Sequence, residues 1–341
     1  MTRVTWLGGY DFRIDDAPDP EGVVVAPHEV LLRVKAVGIC MTDIHIMQGR
    51  LPEVTAPRIL GHEISGIIER VGSHVQVVKP GSRVTCDSVV GCGRCDFCQR
   101  GSRQFCRSGY EFGFAHDGGC QEFLVMPEEN VHPVGDVVSM EEAAILDMEV
   151  LAALRKPGAI QGNTLLIIGS GPAGLVATQL AKILGAEKVI LSGDNEKRLE
   201  LGRQLGADRT IDVRKENLEE VINHETQGRG VDLAMDCAGT SKSFTQALDS
   251  AAPGARVVLY GVYPDPLPEA RVLKIVLKNL SVYGSVCDRV GWEDVIGWVE
   301  QGRLNLRALI THTFPLEEAP RAYNYVRQGS DGLVKAVLQV K

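Results

Sequence analysis

Four cysteines fall close together in the stretch GCGRCDFCQRGSRQFC, with the spacing C-x2-C-x2-C-x7-C. They are Cys92, Cys95, Cys98 and Cys106. Zinc binds four thiolates as a tetrahedron at about 2.3 Å, and this spacing lets the four sulfurs meet at one ion. A pair of disulfides or four free thiols is the alternative. Zinc with four thiolates has no open position for a substrate, so we expect a structural site that holds this loop together.

The hexapeptide GSGPAG is a candidate dinucleotide-binding turn, because it reads G-x-G-x-x-G between a predicted strand over 164–168 and a predicted helix over 172–184. Gly169 would permit the tight turn, Gly171 would let a pyrophosphate approach the backbone, and Gly174 would let the helix pack close to the sheet. The start of this helix, which includes Pro172 and Ala173, would offer partial positive charge to the phosphates. The alternative is a flexible strand–helix turn without a ligand.

The end of the following predicted strand bears on the choice between NAD and NADP. Asp194 lies about twenty residues after Gly174, where an acid binds the adenosine ribose of NAD. Lys197 and Arg198 follow it and could instead contact the 2′-phosphate of NADP. The spacing alone leaves both cofactors open.

Further side chains of metal-ligand type occur in CMTDIH (residues 40–45) and GHE (residues 61–63). Cys40 and His62 are the two candidates, since thiolate and imidazole are both zinc ligands. A single buried cysteine or histidine belongs to a packed core more often than to a metal site. These two residues alone therefore do not establish a second metal.

Composition limits the classes of function that fit. The chain of 341 residues is longer than one hydrophobic core usually serves, so we expect two domains. Its net charge of −8, with acids and bases mixed along the chain, argues against nucleic-acid binding. The N-terminus lacks a secretion signal and the most apolar stretch, 164–186, is interrupted by Gly, Pro, Gln and Lys, so we expect no membrane span and a cytoplasmic location. The nine cysteines are then expected to be thiols or metal ligands.

The predicted elements that must position these residues are of two kinds. Up to residue 135 the chain shows short β runs, such as 28–38 and those within 64–90, which predict a barrel-like domain. Ser139 and Glu142 fit a capping box at the start of a helix. From residue 164 strands and helices alternate, which predicts an α/β fold with a parallel, doubly wound sheet. The predicted strands there are 188–191, 230–239, 255–262 and 281–286, and the predicted helices are 196–205, 241–251 and 273–280. A helix at 292–301 and a strand at 333–340 follow.

In this order, the four-cysteine loop, C-x-T-D-x-H, G-H-E and the dinucleotide turn resemble the zinc-dependent medium-chain alcohol dehydrogenases. The stretches HDGGCQEF and RLELGRQLGAD are also similar to that family, and the resemblance covers essentially the whole chain. It implies a GroES-like catalytic domain from 1–149 and 286–341, with a Rossmann domain over 150–285. It also implies two zinc ions per chain, one of them catalytic and placed between the domains, and a homodimer or homotetramer.

The resemblance implies that Cys40 and His62 bind the catalytic zinc. Asp147 stands at the position of the third ligand, and an aspartate is chemically competent for zinc. Here the chain departs from the polyol and threonine dehydrogenases, which tend to have Glu followed by Pro; Asp147-Met148 is similar to some secondary-alcohol dehydrogenases. Glu149 is the rival ligand.

The same resemblance implies roles for the neighbouring polar residues. Thr42 would contact the substrate alcohol and His45 would pass its proton to solvent. Asp43 would orient the ligand histidine from behind. Glu63 would be a carboxylate next to the metal.

The resemblance also implies a cofactor site in which the usual ribose-binding acid is replaced by Gly193. Relatives that use NADP often have glycine there, but Asp194 would repel a 2′-phosphate, so NAD is slightly favoured. Arg198 would lie along the adenosine ribose. Gly261 and Val262, at the end of the predicted strand 255–262, complete the expected cofactor contacts.

The function implied is hydride transfer between NAD(P) and a small secondary alcohol, either a polyol, a sugar or a cyclitol-like compound. A simple secondary-alcohol or threonine dehydrogenase is the alternative within the family. A zinc-free quinone or enoyl reductase, or a dinucleotide sensor without activity, is the alternative outside it. The candidate ligand set and the four-cysteine loop argue against the reductase, and the presence of Thr42, His45 and the ligand set argues against the sensor.

Overall fold

The chain divides into two compact units in the computed structural model. The first is Met1–Leu146 with Ile310–Lys341 and the second is Asp147–Leu309. The structure describes residues 1–16, 19–146, 149–263, 271–287, 291–329 and 332–341. Within them, no helix has the length and apolar character needed to cross a membrane.

The first unit consists mainly of β-strands. Labelled in chain order, its strands are β1 (Thr2–Gly8), β2 (Asp11–Asp16), β3 (Glu29–Ile39), β4 (Arg58–Ile59), β5 (Glu63–Val71), β6 (Arg83–Cys86), β7 (Val89–Val90), β8 (Tyr110–Glu111), β9 (Phe123–Pro127), β10 (Val131–Pro133), β17 (Ile310–Pro315) and β18 (Lys335–Gln339). Its helices are α1 (Met41–Met47), α2 (Asp96–Gln99), α3 (Met140–Ala144) and α11 (Ala319–Gln328). Apolar side chains of β3 and β5 alternate inward and form the centre of its core.

The main sheet of the first unit runs in the order β10-β6-β5-β3-β18-β17, and β9 also pairs with β3. The C-terminal strand β18 is antiparallel to β3, with Val337 opposite Gly38 and Ala336 opposite Ile39. Leu338 is fully buried, as is Tyr323 on α11. The last thirty-odd residues of the chain therefore complete the sheet that carries Cys40 at the end of β3.

The second unit is a parallel sheet flanked by helices. Its strands are β11 (Thr164–Ile168), β12 (Lys188–Gly193), β13 (Arg209–Asp212), β14 (Val231–Asp236), β15 (Ala251–Leu259) and β16 (Ser281–Gly284). Its helices are α4 (Glu149–Arg155), α5 (Pro172–Ile183), α6 (Glu196–Gln204), α7 (Leu218–Glu225), α8 (Ser241–Ser250), α9 (Leu273–Leu277) and α10 (Trp292–Glu300). The sheet order is β13-β12-β11-β14-β15-β16, which is the strand order of a dinucleotide-binding fold. The apolar run of β11 fits this place, since a central parallel strand is covered on both faces.

Residues 286–309 were assigned to the catalytic domain on sequence but cluster with the second unit. Helix α10 buries Val295 and Val299, and Asp294 forms an ion pair of 2.7 Å with Arg155 on α4. Gln179 on α5 holds the following loop through two hydrogen bonds with the backbone of Asn305. An amphipathic helix does not reveal which core its apolar face contacts, so this boundary depended on the tertiary fold.

Two local predictions, a capping box and the end of a helix, can be compared with the structure residue by residue. The capping box is confirmed: Ser139 Oγ accepts from the Glu142 N–H, and a Glu142 carboxylate oxygen accepts from the Ser139 N–H. The helix predicted over 273–280 ends earlier, at Leu277. Just beyond that end, the Lys278 ammonium donates to the carbonyls of Leu248, Asp249 and Ala251, at the end of α8. A lysine here is thus used to cap a neighbouring helix, which the local pattern does not reveal.

Candidate functional site

The four clustered cysteines meet in space in a small lobe of the first unit. Their four sulfur atoms all lie within 4.8 Å of one another. The Sγ atoms of Cys92 and Cys98 are 4.0 Å apart, and those of Cys95 and Cys106 are 3.8 Å apart. Sulfurs bound to one zinc at about 2.3 Å in a tetrahedron are separated by about 3.8 Å. The geometry therefore fits a single tetrahedral ion.

The lobe has little else to hold it together. Helix α2 and the 3-10 turn Arg103–Phe105 contain no buried residue. The sulfurs instead accept hydrogen bonds from backbone N–H groups. The Cys92 N–H donates to the Cys106 sulfur at 3.3 Å, and the Cys95 N–H donates to the Cys92 sulfur at 3.4 Å. Backbone N–H groups of Arg94 and Cys95 lower the pKa of Cys92, which favours the thiolate that a metal needs.

A second group of candidate ligands lies at the carboxyl end of β3. Cys40, His62 and Glu63 each offer one ligand atom, and these atoms lie within 4.8 Å of one another. Cys40 is the N-cap of α1, and Glu63 begins β5 directly after His62. The His62 side chain is 13% exposed and that of Glu63 is 21% exposed, so this group remains accessible from outside. Sulfur, nitrogen and oxygen in one accessible cluster are a donor set that suits zinc with an open position.

A single carboxylate, that of Asp43, contacts two members of this group. Asp43 is fully buried, and its Oδ2 accepts from the Cys40 N–H at 3.0 Å. Its Oδ1 lies 3.3 Å from His62 Nδ1. Burial alone would lower the pKa of His62, but the Asp43 carboxylate together with Cys40 raises it well above its usual value. The electrostatic field that Asp43 and Cys40 produce at His62 therefore favours a positive charge, which fits a bound cation.

Glu63 is held by a lysine from the far end of the chain. Lys335 Nζ, on β18, donates to Glu63 Oε1 at 2.5 Å, and the Lys335 side chain is only 8% exposed. Glu63 Oε2 is buried and has no hydrogen-bond partner among the described residues. The absence of a side chain at Gly38 makes room for it, because a Cβ there would lie 1.9 Å from Glu63 Oε2. One carboxylate oxygen is thus paired with Lys335, while the other is buried beside Gly38 without a hydrogen-bond partner among the described residues.

Thr42 and His45 occupy neighbouring positions on α1, three residues apart and hence on one face of the helix. Thr42 Oγ1 lies 3.4 Å from Cys40 Sγ. The Nδ1 atom of His45 is buried without a hydrogen-bond partner among the described residues. Burial, followed by the charge of Arg50, lowers the pKa of His45 and keeps its imidazole neutral near neutral pH.

The predicted third ligand, Asp147, lies outside the described residues. Its rival Glu149 begins α4, in the second unit. Among the residues whose positions are described, the carboxylate that joins Cys40 and His62 is that of Glu63.

The predicted dinucleotide turn lies between β11 and α5. Gly169 has a φ of +106°, a conformation that favours glycine, and it begins the turn. Gly171 is the N-cap of α5, and Pro172 and Ala173 form its first turn. A Cβ at Gly174 would lie 1.8 Å from the carbonyl oxygen of Gly169, so the helix packs directly on the turn. A Cβ at Gly171 would meet no atom within 4 Å, so the space in front of the turn is open.

The other predicted cofactor residues lie at the same edge of the sheet, because parallel strands end together. Gly193 ends β12, and a Cβ there would lie 2.2 Å from Ser170 Oγ, so Ser170 fills the place of a side chain at 193. Asp194 is exposed; burial lowers the pKa of Arg198 and the nearby Asp194 opposes this shift. A further pair, Gly261 and Val262, follows β15 and packs against the backbone of the loop after β14.

Substitution of these glycines separates binding from folding. We expect Gly171→Ala to weaken NAD(H) or NADP(H) binding at least about tenfold, since the new methyl group occupies the open space of the phosphates. Its free energy of unfolding should change by less than about 0.5 kcal/mol, because the site is uncrowded. Fluorescence titration with the reduced dinucleotide and thermal unfolding measure the two effects.

Gly174→Ala is the matched control. Its Cβ meets the Gly169 carbonyl, so we expect a loss of about 1–3 kcal/mol in stability from overpacking. Wild-type dinucleotide affinity in Gly171→Ala would show that the phosphates do not approach this turn.

Three polar residues near the candidate metal group were not anticipated from the sequence. The first is Lys335. The sequence feature that could have pointed to it is the presence of an ionisable residue inside the apolar stretch LVKAVLQV. Ser88 and Glu111 are the others; they lie in adjacent short strands and share a hydrogen bond of 3.0 Å. The acid among the aromatic residues of YEFGF was the only local signal for that pair.

Two protein families match the chain. Residues 26–136 match the alcohol dehydrogenase GroES-like domain, and residues 172–301 match the zinc-binding dehydrogenase family. Together they cover more than half of the sequence. They confirm the predicted fold class, in which a GroES-like β-rich domain is combined with a Rossmann-type parallel sheet.

Individual relatives match over almost the full length. L-threonine 3-dehydrogenase of Anaeromyxobacter dehalogenans is 33% identical over 328 residues, which are 94% of this chain and 93% of that protein. A zinc-binding dehydrogenase from Sinorhizobium meliloti bound to NADP is 30% identical, with a TM-score of 0.90 over 99% of this chain and 98% of that one. Galactitol-1-phosphate dehydrogenase from Escherichia coli is 26% identical, with a TM-score of 0.90 over 99% and 100%. The chain therefore belongs to the zinc-dependent medium-chain alcohol dehydrogenases and is an enzyme that transfers hydride between an alcohol and NAD(P).

Proposed function

We propose that the enzyme oxidises the secondary hydroxyl of a small polar compound, such as a polyol, a sugar or a cyclitol. The hydroxyl would be oxidised at a zinc ion bound by Cys40 and His62. The observation that carries this proposal is the accessible cluster of Cys40, His62 and Glu63, backed by the buried carboxylate of Asp43. L-threonine is the second candidate substrate, because relatives about one-third identical are L-threonine 3-dehydrogenases.

Cys40 and His62 are proposed as zinc ligands, and Asp147 as the third. Glu63 is the neighbouring carboxylate. When bound, zinc supplies a Lewis acid that lowers the pKa of an alcohol, and the nicotinamide supplies the hydride acceptor. The protein contributes alignment of the donor atoms, which the Asp43 carboxylate secures for both Cys40 and His62.

Thr42 and His45 are proposed to remove the proton of the alcohol. The Thr42 hydroxyl lies beside the Cys40 sulfur, where it can accept from a substrate hydroxyl. The neutral imidazole of His45, one turn further along α1, can then take up the proton and release it to solvent.

Lys335 is proposed to hold Glu63 in place. A carboxylate and a thiolate side by side repel each other, and the ammonium of Lys335 offsets that repulsion from the buried side. The pKa of Lys335 reflects this balance: burial lowers it, but Glu63, Cys40 and Asp43 outweigh burial and raise it.

The dinucleotide is proposed to bind at the GSGPAG turn, with its adenosine ribose near Gly193, Asp194 and Arg198. NAD remains slightly favoured, because the Asp194 carboxylate would repel a 2′-phosphate. The cytoplasmic location remains a prediction from the sequence, and the homodimer or homotetramer remains a prediction from the resemblance.

A substrate panel tests this function. Polyols, sugars, cyclitols, simple secondary alcohols and L-threonine would each be supplied with NAD and with NADP, while the absorbance of the reduced nicotinamide is followed. We expect turnover of polar secondary alcohols by protein that contains two zinc ions per chain. Reduction of quinones or enoyl compounds by zinc-free protein, with no alcohol oxidised, would contradict the proposal.

A further inference from the structure

Two histidines and a glutamate lie together at the end of β3 that is opposite to Cys40. His28 directly precedes β3, His74 follows β5, and Glu128 directly follows β9. Because β5 and β9 both pair with β3, the register of these strands brings the three residues to one place. The strand β3 is 11 residues long, and at about 3.3 Å per residue it spans roughly 35 Å. The histidine pair is therefore separate from the candidate metal group at Cys40.

The rings of the two histidines approach each other closely. His74 Nδ1 lies 3.3 Å from His28 Nε2, and the ring centroids are 5.0 Å apart with the planes inclined at 63°. Two imidazole nitrogens that bind one zinc ion at about 2.0–2.1 Å in a tetrahedron are separated by about 3.3–3.4 Å. The observed separation is thus that of two ligands of one ion. A hydrogen bond between the rings has a similar length, so the positions of the protons distinguish the two arrangements.

The carboxylate of Glu128 determines which nitrogen of His28 carries the proton. Its Oε1 lies 3.0 Å from His28 Nδ1, and its Oε2 accepts the backbone N–H of Gln76 at 3.0 Å. The hydrogen bond from His28, followed by that from Gln76, lowers the pKa of Glu128, so this group is a carboxylate that accepts from Nδ1–H. The neutral His28 ring then presents the lone pair of Nε2 toward His74. A carboxylate behind the ring is the usual support of a metal-binding histidine.

His74 supplies the second nitrogen. In a direct hydrogen bond its Nδ1 would carry a proton and donate to His28 Nε2. A neutral imidazole can carry its proton on the other nitrogen instead, and Nδ1 then offers a lone pair. A metal ion in place of the shared proton would be bound by both lone pairs. This exchange requires only a change of tautomer in His74 and a small rotation of the rings.

The backbone holds these side chains at the separation that a metal ion needs. The His74 N–H donates to the Pro27 carbonyl at 2.8 Å, and the Glu128 N–H donates to the His28 carbonyl at 2.9 Å. Ligands that are already held in place lose little conformational freedom on binding. The His28 side chain is 70% exposed, so water can complete the coordination of an ion. Imidazole is a ligand that suits zinc, nickel and copper.

We propose that His28 and His74 form a further metal site, which binds a divalent zinc, nickel or copper ion, with Glu128 as the hydrogen-bonded partner of His28. The site is distinct from the four-cysteine lobe and from the group at Cys40, and it does not depend on the substrate of the enzyme. Two ligands should contribute about half the binding free energy of a four-ligand zinc site, which corresponds to a Kd of roughly 1–200 µM. The ion would link the segment before β3 to the segment after β5.

Calorimetric titration with zinc tests this site. Zinc chloride is added to the full-length enzyme after dialysis against nanomolar free zinc, which fills the sites that have more ligands. We expect the wild-type protein to bind one additional ion in the micromolar range. His28→Gln and His74→Gln should each weaken this binding about 50-fold or more, since half of its free energy is removed. Glu128→Gln should weaken it about 10-fold or more, as the loss of a ligand's carboxylate partner does in other metal sites.

His224→Gln is the matched control. His224 on α7 is an exposed histidine that lies 3.7 Å from Glu225, so it also has a neighbouring carboxylate, and its variant should bind zinc as the wild type does. The proposal would be overturned by a wild-type protein that binds no additional zinc, or by a His74→Gln protein that keeps the wild-type affinity. Equal weakening in His224→Gln would indicate unspecific surface binding and would overturn it as well. Melting temperatures without added zinc should agree within about 2 °C, because the substituted side chains are exposed.

Discussion

Cys40→Ser should abolish alcohol oxidation, with kcat falling by at least about 10³-fold. The Lewis acid at this site is worth several kcal/mol in the transition state, and each 1.36 kcal/mol corresponds to a factor of ten in rate. The bound zinc should fall from two ions to one per chain, because serine is a much poorer zinc ligand than the thiolate it replaces. Dinucleotide binding should persist, since the GSGPAG turn lies in the other unit. Steady-state kinetics, metal analysis and fluorescence titration give the three readings.

Thr42→Ala provides the comparison for this substitution. It alters the adjacent hydroxyl, 3.4 Å from the sulfur, without removing a ligand, so zinc should be retained while turnover falls. Retained alcohol oxidation in Cys40→Ser would exclude a catalytic role for a metal at Cys40 and would revive the zinc-free alternatives.

Cys98→Ser should chiefly affect stability. The lobe formed by the four cysteines has no buried side chain in α2 or in the adjoining 3-10 turn, so we expect the proposed zinc ion to be its main tertiary link. We expect a loss of about 4 kcal/mol or more, a range that the removal of a structural metal can reach. For a chain of this size that corresponds to roughly 6 °C in melting temperature. Thermal unfolding with and without a chelator measures the effect.

The Cys40 and Cys98 variants serve as controls for each other. Both replace one thiol by a hydroxyl and both should lose one zinc, but the first should keep its stability and the second should keep residual turnover below its melting point. A Cys98→Ser protein with the wild-type melting temperature and two zinc ions would contradict a structural metal in the lobe.

The features predicted well from sequence are those in which the chemistry is local. Cys92, Cys95 and Cys98 are separated by two residues each, so their convergence requires only a tight loop. The same holds for GSGPAG, where Gly169 and Gly174 contact each other within six residues. The capping box at Ser139 is similarly short-range. In each case the residues that interact are close in the chain, and few backbone conformations satisfy them.

The predicted domain boundary near 286 differs from the boundary of the compact units, after Leu309, for the opposite reason. Helix α10 is amphipathic whichever unit it joins, and its ion pair with Arg155 spans well over a hundred residues. The third ligand of the proposed catalytic metal stays a prediction: Asp147 follows from resemblance alone, whereas Glu63 is grouped with Cys40 and His62 by the fold.

The sequence by itself determined the class of this protein, because the spacing of its cysteines and glycines permits few chemistries besides zinc and a dinucleotide. Only the tertiary structure decided which charges meet at the metal group. Lys335 reaches Glu63 across 272 residues, and Asp43 lies 3.3 Å from His62. Such pairings depend on strand order and register, which place β18 and β5 beside β3 and which no local pattern encodes.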